Sequence, residues 1–187
     1  DITEDKFNQV FEEANKKYTP IMRDALQRAV DAWVVLSLTE THDNLLMWSH
    51  YAEKHTGMVI EFVEEHPIFY ELKIPPDNPR FFQNVKYTSD RPIWGTMDEK
   101  NVHDLILTKS IEWEYERELR FARRLNDAQR VIPASPHDIC LFPMPATAIN
   151  SIILGARISS VDIDRIRNIL RTTPHLDHIR LQQASLD

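Results

Sequence analysis

Two stretches of this chain share one pattern: a short apolar run, a polar loop, a helical run with one apolar face, and a second apolar run. The first comprises Ala32 to Leu38, a helix from Asp43 or Asn44 to about Lys54, and Met58 to Val63. The second comprises Ile149 to Leu154 with its block Ile152-Ile153-Leu154, a helix after Ser159 or Ser160, and His178 to Leu181. Short β-branched runs read as buried strands. Ile163, Ile166, Ile169 and Leu170 recur at the spacing of one helix face. Asn, Asp and Ser are the side chains that cap helix starts. Gly57 stands where a left-handed helix stop belongs, and Thr173-Pro174 ends the later helix. Two strand–helix–strand units predict an α+β fold: a mixed β-sheet with packed helices over residues 43–54, 98–110 and 160–171, preceded by an N-terminal helical pair.

That pair occupies residues 1–31. Phe7, Val10, Phe11 and Ala14, and then Ile21, Ala25, Leu26 and Ala29, keep helical spacing, and Thr19-Pro20 separates the two runs. Between Glu64 and Gly95, four X-Pro pairs mark loops around short strand candidates at 69–74 and 84–88. Asp98 to Lys109 reads as a helix with Val102, Leu105 and Ile106 on one side. Glu116 to Arg123 reads as a strand with Leu119 and Phe121 on one face. A chain of 187 residues fits a single domain over 1–187, with a helical segment at 1–31 and an α+β body at 32–187. It begins at Asp1 rather than Met, which points to a preceding segment.

Composition removes several function classes. The formal net charge is −7, which disfavours broad nucleic-acid binding through clustered Lys and Arg. One cysteine allows no internal disulfide and no multi-cysteine zinc site, so the expected location is the cytoplasm. No apolar run approaches the roughly 20 residues of a membrane helix. The three glycines stand far apart, which excludes phosphate-cradling and dinucleotide fingerprints. Cys140, among apolar neighbours and with no adjacent base, reads as a buried structural thiol.

The densest run of chemically capable residues is Asn44-Leu45-Leu46-Met47-Trp48-Ser49-His50-Tyr51, followed by His55. On a helix Leu46 and His50 share one face, and Met47 and Tyr51 another. Burial of His50 would favour a neutral imidazole fit for proton transfer; equally, it could be a core histidine with a fixed partner. His42, His50 and His55 lack the spacing of a helical metal pair, so no metal site is expected. Ser49 beside His50 is not a dyad, because adjacent helical side chains diverge.

A second cluster runs from Lys109 through Trp113, Tyr115, Glu116 and Glu118 to Arg120. On a strand Glu116, Glu118 and Arg120 point one way, with the carboxylates about 7 Å apart. Such a pair can divide acid–base and charge-stabilising roles, with Arg120 holding the nearer carboxylate ionised. The competing account is a solvated ion-paired face of little energetic worth.

These residues carry a resemblance. Val35-Leu36-Ser37-Leu38-Thr39-Glu40, Asn44 through Ala52, His55-Thr56-Gly57, Val85-Lys86-Tyr87 with Arg91-Pro92, Lys109-Ser110, Trp113 through Arg120, and Ile149 to Arg157 with Ser159 resemble the bacterial DUF2971 family of unknown function. The resemblance covers roughly residues 34–183. It implies a soluble bacterial protein, some relatives standing in anti-phage or mobile-element contexts. The family's N-terminal block, with a Tyr-rich strand and an Asn-Asp-Pro turn, is missing from this chain.

The layout is similar to that of ADP-ribosyltransferases, in which a late strand supplies a catalytic Glu. Glu118, with Glu116 two residues before it, is the counterpart; His50-Tyr51 does not match the earlier strands of that layout. By this analogy Glu118, Glu116 and His50 form the catalytic set and NAD is the nucleotide used. His50, Trp48 and Tyr51 line the pocket, with Trp48 or Trp113 available to stack on a planar ring. Arg120, Asn44, His55 and Lys109 complete the binding set. The alternative is a non-enzymatic sensor or interaction module in which the same polar residues fix the fold. A metal-dependent nuclease fits the net charge less well.

Overall fold

The computed structural model describes residues 4–70, 81–90 and 104–185. Their order is α1 (Glu4–Asp31), β1 (Trp33–Thr39), α2 (Leu45–Tyr51), β2 (Met58–Phe62), α3 (Pro67–Tyr70), β3 (Phe81–Asn84), β4 (Lys86–Thr88), β5 (Thr108–Ser110), β6 (Glu118–Arg124), β7 (Arg130–Ile132), β8 (Ile139–Leu141), β9 (Ile149–Leu154), α4 (Ser160–Thr172) and β10 (Arg180–Gln183). The class is α+β, as expected. Instead of one mixed sheet, the described strands form two three-stranded sheets, β1-β6-β3 and β10-β9-β2, and two paired ladders, β4-β5 and β7-β8.

The second sheet is built around β9, whose Ile152, Ile153 and Leu154 are all buried. Strand alternation sends Ile153 to one face, where Trp48 and Ala52 of α2 and its C-cap cover it. Ile152 and Leu154 go to the other face, against Ile163, Ile166 and Leu170 of α4. A strand covered on both sides is why this run is apolar without alternation. Its neighbours are β10, parallel, and β2, antiparallel. Residues 149–183 thus form the expected strand–helix–strand unit, with β10 two residues later than predicted. Ser159 caps α4 by accepting from the Asp162 N–H.

The first predicted unit is divided between the sheets. β1 pairs with β6, whereas β2 joins β9. β1 is an edge strand, with Val35 and Leu36 exposed rather than buried as expected. Aromatic edges connect the two sheets: Phe62 of β2 meets Phe69 of α3 at 6.0 Å, and Phe69 meets Phe121 of β6 at 5.5 Å.

Three further expectations are corrected. The N-terminal pair is one helix, α1, with Pro20 inside it. Proline costs the helix a hydrogen bond at the carbonyl one turn before it; here that turn is exposed, so solvent can satisfy the carbonyl. Phe7, Val10, Phe11, Tyr18 and Ile21 are exposed along this helix, and packing begins only toward Ala25 and Leu26. The predicted helix 98–109 is helical over 104–107 but becomes strand at Thr108–Ser110; residues 98–103 lie outside the described residues. Phe69 is helical, not strand, and positions 71–74 are outside the described residues. Cys140 is half-buried on the β7-β8 hairpin, because its strand neighbours Ile139 and Leu141 face outward. No helix among the described residues is long and apolar enough to cross a membrane.

Helix α2 stops at Tyr51, before the predicted Lys54. Glu53, Lys54 and His55 then take positive φ of 49°, 54° and 72°, a left-handed turn that non-glycine residues rarely adopt. Gly57 is not the left-handed stop; its backbone lies against Ala52, and an added Cβ would sit 3.0 Å from the Ala52 carbonyl. The turn is clamped from the end of β9: Arg157 N–H donates to the His55 carbonyl at 3.0 Å, and Gly155 N–H to the Gly57 carbonyl at 2.9 Å. A Cβ on Gly155 would lie 2.1 Å from the His55 carbonyl oxygen. Gly155→Ala is therefore expected to force this turn apart and cost about 1–3 kcal/mol of stability, read as a lower urea midpoint. An unchanged midpoint would show that the clamp gives way freely.

Candidate functional site

The site begins with a short 3₁₀ segment, Ile111–Glu116, that ends on Arg117 in the left-handed conformation, φ 45° and ψ 51°. Two side chains hold its last carbonyls. Thr39 Oγ1 donates to the Glu116 carbonyl at 2.7 Å, and Asn44 Nδ2 donates to the Tyr115 carbonyl at 3.1 Å. Asn44 also caps α2, its Oδ1 accepting from the Leu46 N–H at 2.9 Å. One asparagine thus ties the helix start to the 3₁₀ turn. Glu116 belongs to that turn, not to the strand as expected, and only Glu118 and Arg120 follow β6 alternation. The reversal at Arg117 brings Glu116 and Glu118 onto one lysine.

Both carboxylates are buried, with 3% and 5% of their surface exposed. Lys109, on β5, donates to Glu116 Oε2 and, at 3.0 Å, to Glu118 Oε2. Arg120 grips Glu118 with two bonds, Nε to Oε1 at 2.7 Å and Nη2 to Oε2 at 3.1 Å. Its remaining nitrogen donates to the Ile106 carbonyl. Tyr51 OH donates to Glu116 Oε1 at 2.7 Å, and Tyr87 OH accepts from the Glu118 N–H at 2.8 Å. Two cations therefore meet two carboxylates, and every carboxylate oxygen is paired, which is what buried charge requires.

Protonation follows from these contacts. Burial opposes ionisation of Glu118, but hydrogen bonds from Arg120, Ser37 and Lys109 outweigh it and bring its carboxyl down to about 2. Burial opposes the Lys109 ammonium as well, yet its bonds to Glu116 and Glu118 raise its pKa. The bond to Glu116, then burial, raises Tyr51; burial foremost raises Tyr87. Near neutral pH Glu118 is therefore ionised, Lys109 charged, and Tyr51 and Tyr87 protonated.

A cavity of about 920 Å³ lies beside the network, within the size range of small-molecule sites. Its lining includes Tyr51, Lys109, Glu116 and Glu118 of the network and Val59 to Phe62 of β2. Among the described residues, Glu40, Glu61, Glu64, Glu116 and Glu118 line it together with Lys109 and Arg117, a formal balance of 2 − 5 = −3 before the Arg120 behind Glu118 is counted.

The remaining predicted residues stand behind or beside this cavity. Arg120 and Asn44 act through Glu118 and the 3₁₀ turn. Trp48 is buried under α2, its indole N–H donating to the His42 carbonyl at 2.6 Å. His55 stacks on Trp48 at 6.2 Å. His50 is exposed rather than buried, because Trp48 and Ala52 take the inward face of α2; its ring meets the edge of Trp113 at 6.5 Å. Trp113 in turn lies 5.1 Å from the Lys109 ammonium, a cation–π contact at the rear of the network. Tyr87 and Thr39 were not anticipated; Tyr87 within Val85-Lys86-Tyr87 offered only its place in the family resemblance. Among the described residues no group of three His, Cys, Asp or Glu side chains could hold a metal ion.

A carboxyl with a lower pKa folded than unfolded adds stability above its unfolded value, here 4.5, and that contribution is lost as pH falls toward about 2. At about 1.4 kcal/mol per unit the contribution is about 3 kcal/mol. Glu118→Gln, which leaves Arg120 and Lys109 short of a counter-charge, is expected to cost about 3–5 kcal/mol near neutral pH. It should also flatten the loss of stability between roughly pH 5 and 2. Urea unfolding across that range tests both; a slope equal to wild type would remove Glu118 as its source.

No curated protein and no solved structure matches the chain. Residues 47–121 match the family described as Protein of unknown function (DUF2971), a span that includes Tyr51, Tyr87, Lys109, Glu116, Glu118 and Arg120. The chain is thus similar, over the segment that builds its charged cavity wall, to the DUF2971 family.

Proposed function

We propose that this protein is an ADP-ribosyltransferase-like enzyme that uses NAD as substrate, and that the cavity beside Glu118 receives the nicotinamide–ribose half. The observation behind this is a pair of buried carboxylates, one of them, Glu118, held ionised by Arg120 and Lys109, in the lining of a small-molecule-sized cavity. A carboxyl held at about 2 cannot act as a general acid near neutral pH. It can stabilise positive charge that develops on a sugar ring, the electrostatic task that preorganised groups perform best.

In this reaction the bond between nicotinamide nitrogen and ribose C1′ breaks, and its electron pair leaves with nicotinamide. A lone pair on the acceptor, water in the simplest case, forms the new bond to C1′, and the acceptor's proton passes to solvent. Glu118 and Glu116 face the developing cation. Tyr51, protonated, orients Glu116. Lys109 is the group a ligand would have to displace or share, since it bridges both carboxylates. His50 and Trp113 form an aromatic edge beside Lys109 but outside the cavity lining, so they act on a bound ring only through Lys109. A bacterial defence or toxin setting would suit an activity that depletes NAD.

A second reading rests on a specific observation: every oxygen of both carboxylates already has a partner. In a non-enzymatic sensor or interaction module the network would serve only to fix the fold. NAD consumption and melting temperature, measured together for wild type and Glu118→Gln, separate the two. The enzyme reading expects a melting temperature raised by NAD, turnover by wild type, and turnover by the variant down at least about 100-fold, the usual scale for one electrostatic group. Stability loss in the variant with no turnover in wild type, and no shift with NAD, would leave the structural reading.

A further inference from the structure

The lining of the same cavity holds, on β2, a carboxylate with a different construction. Glu61 sits on β2 across from Ser151 of β9. Its Oε2 accepts from the Ser151 hydroxyl and, at 2.8 Å, from Asn150 Nδ2. Ser151 has no exposed surface, so it offers a rigid donor from inside the sheet. Glu61 lines the cavity, and its Oε1 has no hydrogen-bond partner among the described residues. The β2–β9 register shifts between Glu61 and Phe62; bulges of this kind redirect a side chain and occur often beside functional sites. The two sheets therefore supply different kinds of acceptor to one cavity. At Glu118 all oxygens are saturated by cations. At Glu61 one oxygen is anchored and the other is available.

We propose that Glu61 is a recognition residue of the cavity, its Oε1 accepting a hydrogen bond from a ribose hydroxyl of a neutral or cationic ribonucleoside. This rests on the cavity being the nucleotide site proposed above and specifies which part of the nucleotide it takes. With Arg120 behind Glu118 counted, three cations meet five carboxylates among the described residues, a balance of 3 − 5 = −2 that disfavours a pyrophosphate and favours the positively charged nicotinamide ribonucleoside end. An anchored carboxylate suits a hydroxyl donor, because charge-assisted hydrogen bonds are short and strong and its orientation is already set before the ligand arrives.

Calorimetric titration of nicotinamide riboside, which carries the cation and the ribose without a phosphate, tests this on wild type, Glu61→Gln and Glu61→Asp. Glu61→Gln keeps the size and removes the charge. Glu61→Asp keeps the charge and withdraws it from the cavity. The expected result is binding to wild type and about tenfold or greater weakening in both variants, with melting temperatures near that of wild type. Equal binding by folded variants overturns the assignment of Glu61 while NAD turnover by wild type still stands or falls separately. Absence of binding to wild type overturns it too, and so does loss of folding in both variants, which would make Glu61 structural. Glu61-dependent riboside binding without NAD turnover keeps this assignment and rejects the transferase reading.

Discussion

Burying two glutamates two residues apart is expensive, and much of the site's architecture follows from how that cost is met. Each ion loses its water, an effective penalty of several kcal/mol that only close counter-charges and full hydrogen bonding offset. Here the partners come from different places in the chain. Lys109 enters from β5, Arg120 from the same strand as Glu118, and Tyr51 from α2. Each carboxylate therefore specifies the position of elements remote in sequence. Such a cluster contributes less to net stability than to choosing one arrangement among many. The left-handed Arg117 belongs to the same constraint. Without that reversal Glu116 would follow strand geometry and its carboxylate would not share Lys109 with Glu118.

The second constraint is hydrophobic and lies in the second sheet. β9 is covered on both faces, so α2 must pack on it through Trp48 and Ala52. That contact rotates Tyr51 toward Glu116 and leaves His50 outside. The left-handed turn at 53–55 and the close approach of Gly155 then fix where α2 ends. Non-glycine residues with positive φ cost free energy and persist only where the surroundings determine them; the two backbone hydrogen bonds from Gly155 and Arg157 supply that determination. The cavity draws its lining from both systems: the charge cluster around Glu118, and a sheet that carries the anchored carboxylate of Glu61. It brings together a carboxylate that its cationic partners hold ionised, Glu118, the Lys109 ammonium and the Tyr51 hydroxyl.

Much of the local structure was legible. Asn44 and Ser159 cap the helices they were expected to cap, because an Asn or Ser ahead of an apolar-periodic run satisfies free N–H groups by local geometry alone. β6 and β9 were visible in their β-branched and alternating residues. Glu118 and Arg120 share a face because strand alternation requires it. Other features were not legible. Pro20 marks a helix break only where the lost hydrogen bond cannot be replaced by solvent, and exposure is not written in the local sequence. Lys109 follows a helical apolar pattern yet stands on a strand, since β4 offers it a parallel partner.

The sequence by itself determined the α+β class, the helix starts, the doubly buried strand and the identity of the paired carboxylates, all of which depend on neighbours within a few residues. Only the tertiary structure decided that the first predicted unit would divide between separate sheets, that Tyr51 rather than His50 would line the cavity, and that Glu61 and Glu118 would line the same one. Those outcomes depend on which distant surfaces bury one another and which distant charges cancel, and neither quantity has a period or a spacing that a linear sequence displays.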